Sequence, residues 1–305
     1  MALFSTKTLR SLLQRILFLF PRSTRASVDR WIRGKKEYKK LKKADFAVVS
    51  LPKSGRTWLR VMLSRYYQQK FDLPEHSVIG SDNFYLGNRA APRVLFSHDS
   101  VLRDYTGNLD NKKDFYHTKT ILMVRDPRDL VVSEFHQWRY RTDPSKRRLG
   151  SELNIEDNVG VFDFAMNSFH GIPRNIRFLN SWQRELDNMK DILVVSYEDM
   201  RRAPQEAMMR ILSFVGETPD SEQVKDAVEY AKFENMRKME EKQTYRTNSK
   251  QLFARNDSNP DSLKTRRAKV GGFTDYLTPE QIDAINALID DQLSPEYGYN
   301  RNQGN

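Results

Sequence analysis

The chain predicts an α/β fold, a parallel sheet with helices on both faces, in a single domain preceded by a basic N-terminal arm. Two observations carry the sheet. Four short apolar runs, rich in β-branched residues, are spaced along the chain and are of the kind buried on both faces. The segments between them are longer and repeat their apolar residues with the 3.6-residue period of a helix. A third observation concerns function: the runs are followed by Lys53, His98, Arg125 and Tyr197. In an open parallel sheet, ligands sit beyond the carboxyl ends of the strands. Two cations, a base and a hydrogen-bonding aromatic gathered there predict an anion site.

Composition sets the outer bounds. A chain of 305 residues, 38% hydrophobic with 17 Phe and 13 Tyr, can fill the core of one large domain. The absence of Cys excludes a disulfide framework and cysteine-based metal or nucleophile chemistry, and suits a reducing compartment. The net charge of +11 belongs wholly to residues 1–43, because the body, residues 44–305, carries as many acids as bases. Within the arm, Leu12–Phe20 is apolar but interrupted by Arg15 and followed by Pro21, too short to span a bilayer. No small-residue cleavage site follows it. The arm reads as a basic amphipathic helix on anionic lipid, the alternative being a helix packed on the body with its charges in water. Nucleic-acid binding is not expected, since no recognisable module accompanies the charge.

The first apolar run, Phe46–Leu51, is a strand stopped by Pro52. Ser54-Gly55 supplies a tight turn, and Trp58, Leu59, Met62, Leu63 and Tyr66 form one helical stripe. Strand, glycine turn and helix place free N–H groups and a helix dipole against an anion, with Lys53 and Arg56 adding full charges. An ordinary βα loop with solvated basic residues fits the spacing equally well. It is not a Walker A loop, in which Lys follows the glycine. Residues 70–91 read as loop and short helix. Arg93–His98, Lys119–Val124 and Asp191–Tyr197 give the remaining strands. Asp126-Pro127 opens a helix as N-cap and first residue, running past Ser133 to Trp138. Residues 140–158 form a polar surface loop. Further helices are expected over Asn175–Met189, Glu206–Val215 and Ser221–Lys238.

Pro52-Lys53-Ser54-Gly55-Arg56-Thr57-Trp58 resembles the 5′-phosphosulfate loop of the PAPS-dependent sulfotransferases, usually P-K-S-G-T-T-W, with Arg56 as the one departure. Four later segments resemble the same family in the same order. Arg125-Asp126-Pro127-Arg128-Asp129 through Ser133 matches its 3′-phosphate segment, and Tyr197-Glu198-Asp199-Met200 the adenine-reaching Y-E-D-[LM]. Phe233-Glu234-Asn235-Met236 matches its S-F-x-x-M helix, and Arg266–Phe273 its R-K-G-x-x-G-D-W signature, with Ala268, Gly272 and Phe273 as departures. The resemblance covers most of the body and none of the arm. It implies a P-loop-kinase-like sheet, PAPS as the donor with PAP as its product, and no metal, no acidic cluster being spaced for Mg²⁺.

By the same resemblance, Lys53, Ser54, Gly55, Arg56, Thr57 and Trp58 hold the phosphosulfate and adenine. Arg125 and Ser133 take the 3′-phosphate, as do Arg266 and Arg267, while Tyr197 and Phe233 contact the purine. Residue 231 is Ala where cytosolic members often have an adenine-bonding Thr. His98 is the expected base, Lys53 the group on the bridging oxygen, and Ser133 a restraint on Lys53. Phe96-Ser97 stands where the cytosolic enzymes carry Lys and Thr, so a helper cation is missing. His136, one turn past Ser133, is the reserve base. The family's dimer motif keeps only Thr278, and the oligomeric state stays open. The acceptor is a small molecule or lipid bearing a hydroxyl or amine. The expected location is cytoplasmic, with peripheral attachment to the inner face of the membrane through the arm. The competing readings are a nucleotide kinase, which needs Mg²⁺ ligands and a Lys after the turn, and a non-enzymatic membrane binder.

Overall fold

The structure is a computed structural model and describes residues 21–142, 158–245, 252 and 260–301. The chain runs α1 (Arg22–Leu41), β1 (Phe46–Ser50), α2 (Arg56–Phe71), α3 (Asn83–Gly87), β2 (Val94–Ser97), α4 (Ser100–Thr106) and β3 (Lys119–Val124). It continues through α5 (Pro127–His136), a π turn (Gln137–Arg141), α6 (Val161–Met166), α7 (Ile172–Gln183), β4 (Ile192–Ser196), α8 (Tyr197–Arg202) and α9 (Pro204–Val215). The last helices are α10 (Ser221–Tyr230), α11 (Phe233–Glu241) and α12 (Pro279–Gln292).

The four strands are parallel in the order β2-β1-β3-β4, with Val48 of β1 in register with Phe96 and Ile121 on its two sides. Because side chains alternate along a strand, β1 feeds two cores. Phe46 and Val48 pack with Met62 and Tyr66 of α2 and Ile211 of α9. Ala47 and Val49 pack on the other face with Val131 of α5, Trp182 of α7 and Ile289 of α12. This is the parallel sheet that the four apolar runs predict. The strand order reverses between β1 and β3, and the crevice at their carboxyl ends is where such sheets bind ligands.

Three elements differ from expectation. The helix expected over Asn175–Met189 ends at Gln183, and Met189 is extended. Ser221–Lys238 is not one helix: it breaks at Ala231-Lys232, where Lys232 is extended (φ −56°, ψ 151°), and α11 starts afresh at Phe233. In the arm, α1 docks on α4 of the body. Trp31 and Tyr38 of α1 both meet Tyr105, Arg30 pairs with Asp104, and Leu41 is buried. Gly34 makes that contact possible, since a Cβ there would lie 2.0 Å from the Val101 carbonyl oxygen. Lys35, Lys36 and Lys39 remain in water. The apolar stretch Leu12–Phe20 and residues 143–157 of the expected surface loop lie outside the described residues. Among the described residues no helix is long and apolar enough to cross a membrane.

Candidate active site

Beyond β1 the backbone turns sharply. Lys53 and Gly55 both have positive φ, 71° and 85°. Gly55 caps α2, and a Cβ on it would lie 2.6 Å from the Tyr197 ring. Glycine is therefore required twice over, by conformation and by contact. Lys53 has no such freedom, and its left-handed backbone stores strain of order 1–3 kcal/mol, common where a loop is shaped around a ligand. The first N–H groups of α2 have no partner within the helix and face the turn.

On the other side of the crevice, α5 begins as predicted, with Asp126 accepting from the Arg128 N–H at 2.8 Å and Pro127 opening the helix. Arg128 takes the Asp126 carboxylate, which leaves Arg125 free of it. Arg125 instead donates to the Lys53 carbonyl at 3.0 Å and lies over the Tyr197 ring at 4.2 Å. Asp129 accepts from the Gly271 and Phe273 N–H groups at 2.8 and 3.0 Å, so the C-terminal basic segment is tied to α5.

These pieces enclose a cavity of about 490 Å³. Its wall includes Lys53, Gly55, Arg56, Thr57 and Trp58 of the turn, together with His98, Arg125, Ser133, Tyr197, Phe233, Arg266 and Arg267. Of the residues expected at the site, only Ser54 is absent from the wall, being 1% exposed beneath the loop. Ala231 lines the cavity too. Arg267 reaches the wall while its guanidinium engages Asp275 at 2.9 Å. The reserve base, His136, does not reach the cavity. It is buried against Tyr276 and Tyr140, and burial followed by the charge of Arg266 holds its pKa down to about 4.

Sequence reasoning missed several wall residues. Arg201, Lys264 and Lys269 add cations, and Thr265 adds a hydroxyl. Lys264 was within reach, being two residues before Arg266 in one basic run. The device that holds it was not. Glu240, fully buried at the end of α11, accepts from the N–H groups of Lys264 and Thr265 at 2.8 and 3.0 Å and pairs with Arg141 at 2.9 Å.

The crowding of cations shows in their protonation. Lys53 is held down to about 7, by burial first and then by Arg141 and Arg125. Lys264 is likewise held down to about 7, by burial and then by Lys53. A polyanion entering the cavity reverses the second cause. A nucleotide with phosphate groups and a purine fits the wall, which sets these cations beside Trp58 and Phe233.

His98 sits immediately after β2. Its Nδ1 is 2.7 Å from the Ser50 carbonyl, which can only accept, so Nδ1 carries the proton and Nε2 the lone pair. The lone pair meets the Arg56 guanidinium at 2.6 Å, and the same guanidinium donates to the Ser97 carbonyl. Arg56 thus stands at His98, a cation where Phe96-Ser97 lacks one, rather than in the loop alone. Burial, then Arg56, depresses His98 to about 3. A second cavity of about 850 Å³ shares His98, Pro52 and Gln137 with the first.

A sulfotransferase domain model matches residues 43–295. Among named proteins, the chain is 26% identical to cytosolic sulfotransferase 13 of Arabidopsis thaliana over 272 residues, covering 82% of this chain and 77% of that one. It is 24% identical to flavonol 3-sulfotransferase of Flaveria bidentis over 265 residues, covering 82% and 81%. Among solved structures, the fold is similar to mouse sulfotransferase SULT7A1 complexed with PAP, with a TM-score of 0.53 at 20% identity, over 82% of this chain and 84% of that one. It is also similar to a retinol dehydratase in complex with retinol and PAP, with a TM-score of 0.55 at 18% identity, over 81% and 80%. The family model spans most of the chain, and the segments that resemble the family meet at one crevice: the chain belongs to the sulfotransferase domain family and is a sulfotransferase.

Proposed function

We propose that the chain transfers the sulfuryl group of PAPS to a hydroxyl or amine of an acceptor by in-line displacement, with Lys53, His98 and Ser133 as the reacting-centre residues. The observation that carries this reading is the convergence of Lys53, Arg125, Lys264 and Arg266, from separate segments, on one cavity beside a neutral His98. PAPS supplies an activated sulfuryl group whose leaving group is a phosphate. Lys53, at the turn, stabilises the charge that develops on the departing oxygen. Arg125, Ser133, Arg266 and Arg267 bind the 3′-phosphate, a role suited to guanidinium forks and a hydroxyl. Trp58, Phe233 and Tyr197 hold the purine. His98 accepts the acceptor's proton at Nε2, its other nitrogen being committed to Ser50. For that, Arg56 must give up Nε2 when donor and acceptor are bound. The acceptor enters through the second cavity, which is also lined by His98.

The test is calorimetric titration with PAP, against ATP plus Mg²⁺ as comparison, followed by kinetics with PAPS. Tight PAP binding that Arg125→Ala abolishes is expected. Lys53→Ala is expected to lower kcat about 10²–10³-fold, the usual cost of removing one preorganised stabiliser of a developing charge, with a smaller change in the KM for PAPS. A chain that binds ATP with Mg²⁺ and ignores PAP would overturn the reading.

A cytoplasmic location accords with relatives named cytosolic. Attachment to the inner face of the membrane now rests on residues 1–20, since Arg22–Leu41 is engaged by the body. Sedimentation with phosphatidylglycerol vesicles, lost on deleting residues 1–20 and unchanged in catalysis, is the outcome this attachment requires.

A further inference from the structure

The second cavity is lined by charge of one dominant sign. Its ionic residues are five arginines against two carboxylates, Asp110 and Glu134, and it holds no lysine. Three of the arginines have acidic partners. Arg174 pairs with Glu134 at 2.9 Å, Arg30 with Asp104 at 2.5 Å, and Arg103 with Asp99 at 3.6 Å. Arg177 and Arg184 have no carboxylate partner among the described residues; Arg177 touches only the Ser168 carbonyl. Seven residues apart on and just past α7, they fall on one helical face, which is the face turned to this cavity. The wall also carries the aromatic side chains of Trp138, Phe164, Phe178 and Phe169, the last 53% exposed.

A neutral phenol or alcohol would leave the two guanidinium groups idle. An acceptor carrying a carboxylate, sulfate or phosphate would meet two planar forks matched to such oxyanions, and its hydrocarbon part would meet the aromatic wall. The net positive lining would also raise the local concentration of an anion and its rate of entry.

Resting on the sulfuryl-transfer reading of the neighbouring site, we propose that the acceptor is an anionic amphipath: an aryl or alkyl hydroxyl or amine compound whose remote oxyanion lies on Arg177 and Arg184 while its nucleophile faces His98. In the reaction the acceptor oxygen or nitrogen forms its bond to sulfur. The bond from sulfur to the bridging phosphate oxygen breaks, its electron pair leaves with PAP, and the acceptor's proton goes to Nε2 of His98.

The experiment compares matched acceptors on the full chain: 6-hydroxy-2-naphthoate against 2-naphthol, and 8-hydroxyoctanoate against 1-octanol. Binding to the protein saturated with PAP is read by calorimetry, and turnover with PAPS by PAP release. In at least one pair the anionic member is expected to bind 10-fold or more tighter and to show the higher kcat/KM. That advantage shrinks between 50 and 500 mM NaCl and is lost in Arg177→Gln/Arg184→Gln, whose PAP affinity stays at the wild-type value. Neutral members that bind as well as or better than the anionic ones in both pairs overturn the inference, as does failure of every anionic member to bind, or a double variant that keeps the preference. Failure of PAP itself to bind overturns the underlying sulfotransferase reading instead, so the two failures are distinguishable.

Discussion

Arg56 and Ala268 are the two single residues whose roles the structure redefines. Arg56 departs from the family's loop, and its guanidinium caps the lone pair of His98 while holding the Ser97 carbonyl. Burial depresses His98 and Arg56 depresses it further, to about 3, so the base stays neutral throughout the working range. Arg56→Thr removes the charge but not the burial. The pKa of His98 therefore rises toward its ordinary value, and a base is lost when it protonates. The acid limb of the kcat/KM–pH profile should move upward in the variant, stopping short of the ordinary imidazole value because burial remains. An unmoved limb would separate Arg56 from the base. Ala268 stands where the family has glycine, yet its φ is 51°. The left-handed backbone that glycine serves is kept with a residue that adopts it at a cost of about 1–2 kcal/mol. Glycine costs more entropy to order, roughly 0.4–1 kcal/mol. Ala268→Gly should thus stabilise the protein by about 0.5–1 kcal/mol, seen as a higher urea midpoint at unchanged m-value.

At the scale of elements, the sheet and the glycine turn after β1 were legible, and the supports behind them were not. Phe46–Ser50 and Lys119–Val124 announce themselves because strands buried on both faces need unbroken apolar runs, and Pro52 and Asp126-Pro127 mark their ends locally. The break at Ala231-Lys232 has no such mark. Neither residue opposes a helix, and the interruption is imposed by packing, with Ala231 fully buried and Phe233 brought to the cavity wall. The partnership of Arg141, Glu240 and the backbone at 264–265 is likewise invisible in sequence, since its members come from three segments that meet only in the fold. Burial pushes the Glu240 carboxyl up, but the Lys264 and Thr265 N–H groups, the Thr265 hydroxyl and Arg141 outweigh it and hold its pKa below the usual range. Its stabilising effect is present above the unfolded value and is lost as pH falls through the lower folded one. Glu240→Ala leaves Arg141 buried without its carboxylate and releases the turn that carries Lys264 and Arg266. A loss of about 3–5 kcal/mol of stability is expected, as for other buried pairs broken on one side. PAP affinity should fall with it. A variant that unfolds at the wild-type urea concentration would show that the turn is held by other means. The docking of α1 was half legible. Its charges were plain, but not that Gly34 would let it lie against Val101 and bring Glu37 to the Ser97 hydroxyl.

At the scale of the whole molecule, the stability of the unliganded protein should rise with pH while its affinity for a polyanion falls. Lys53 and Lys264 titrate near 7 in the folded chain against 10.5 for an unhindered lysine. Between those values the unfolded chain binds more protons than the folded one, so the stability of the unliganded protein must rise with pH. Lys53 is depressed by burial first and then by Arg141, Arg125 and Arg266, with Glu240 opposing them. Arg60, lowered to about 9 by burial and then by Arg56, adds to the same slope at its upper end. A bound polyanion brings negative charge against both ammonium groups and raises their pKa values, so binding above pH 7 takes up protons. PAP affinity should accordingly fall as pH rises from 7.5 to 9, by ~10-fold per pH unit for each proton taken up. Thermal unfolding from pH 7 to 9 should show the unliganded Tm climbing while the increment given by saturating PAP shrinks. Calorimetry of PAP binding in two buffers of different ionisation heat counts the protons directly. A pH-independent increment with no proton uptake would mean that the two lysines are already charged without ligand.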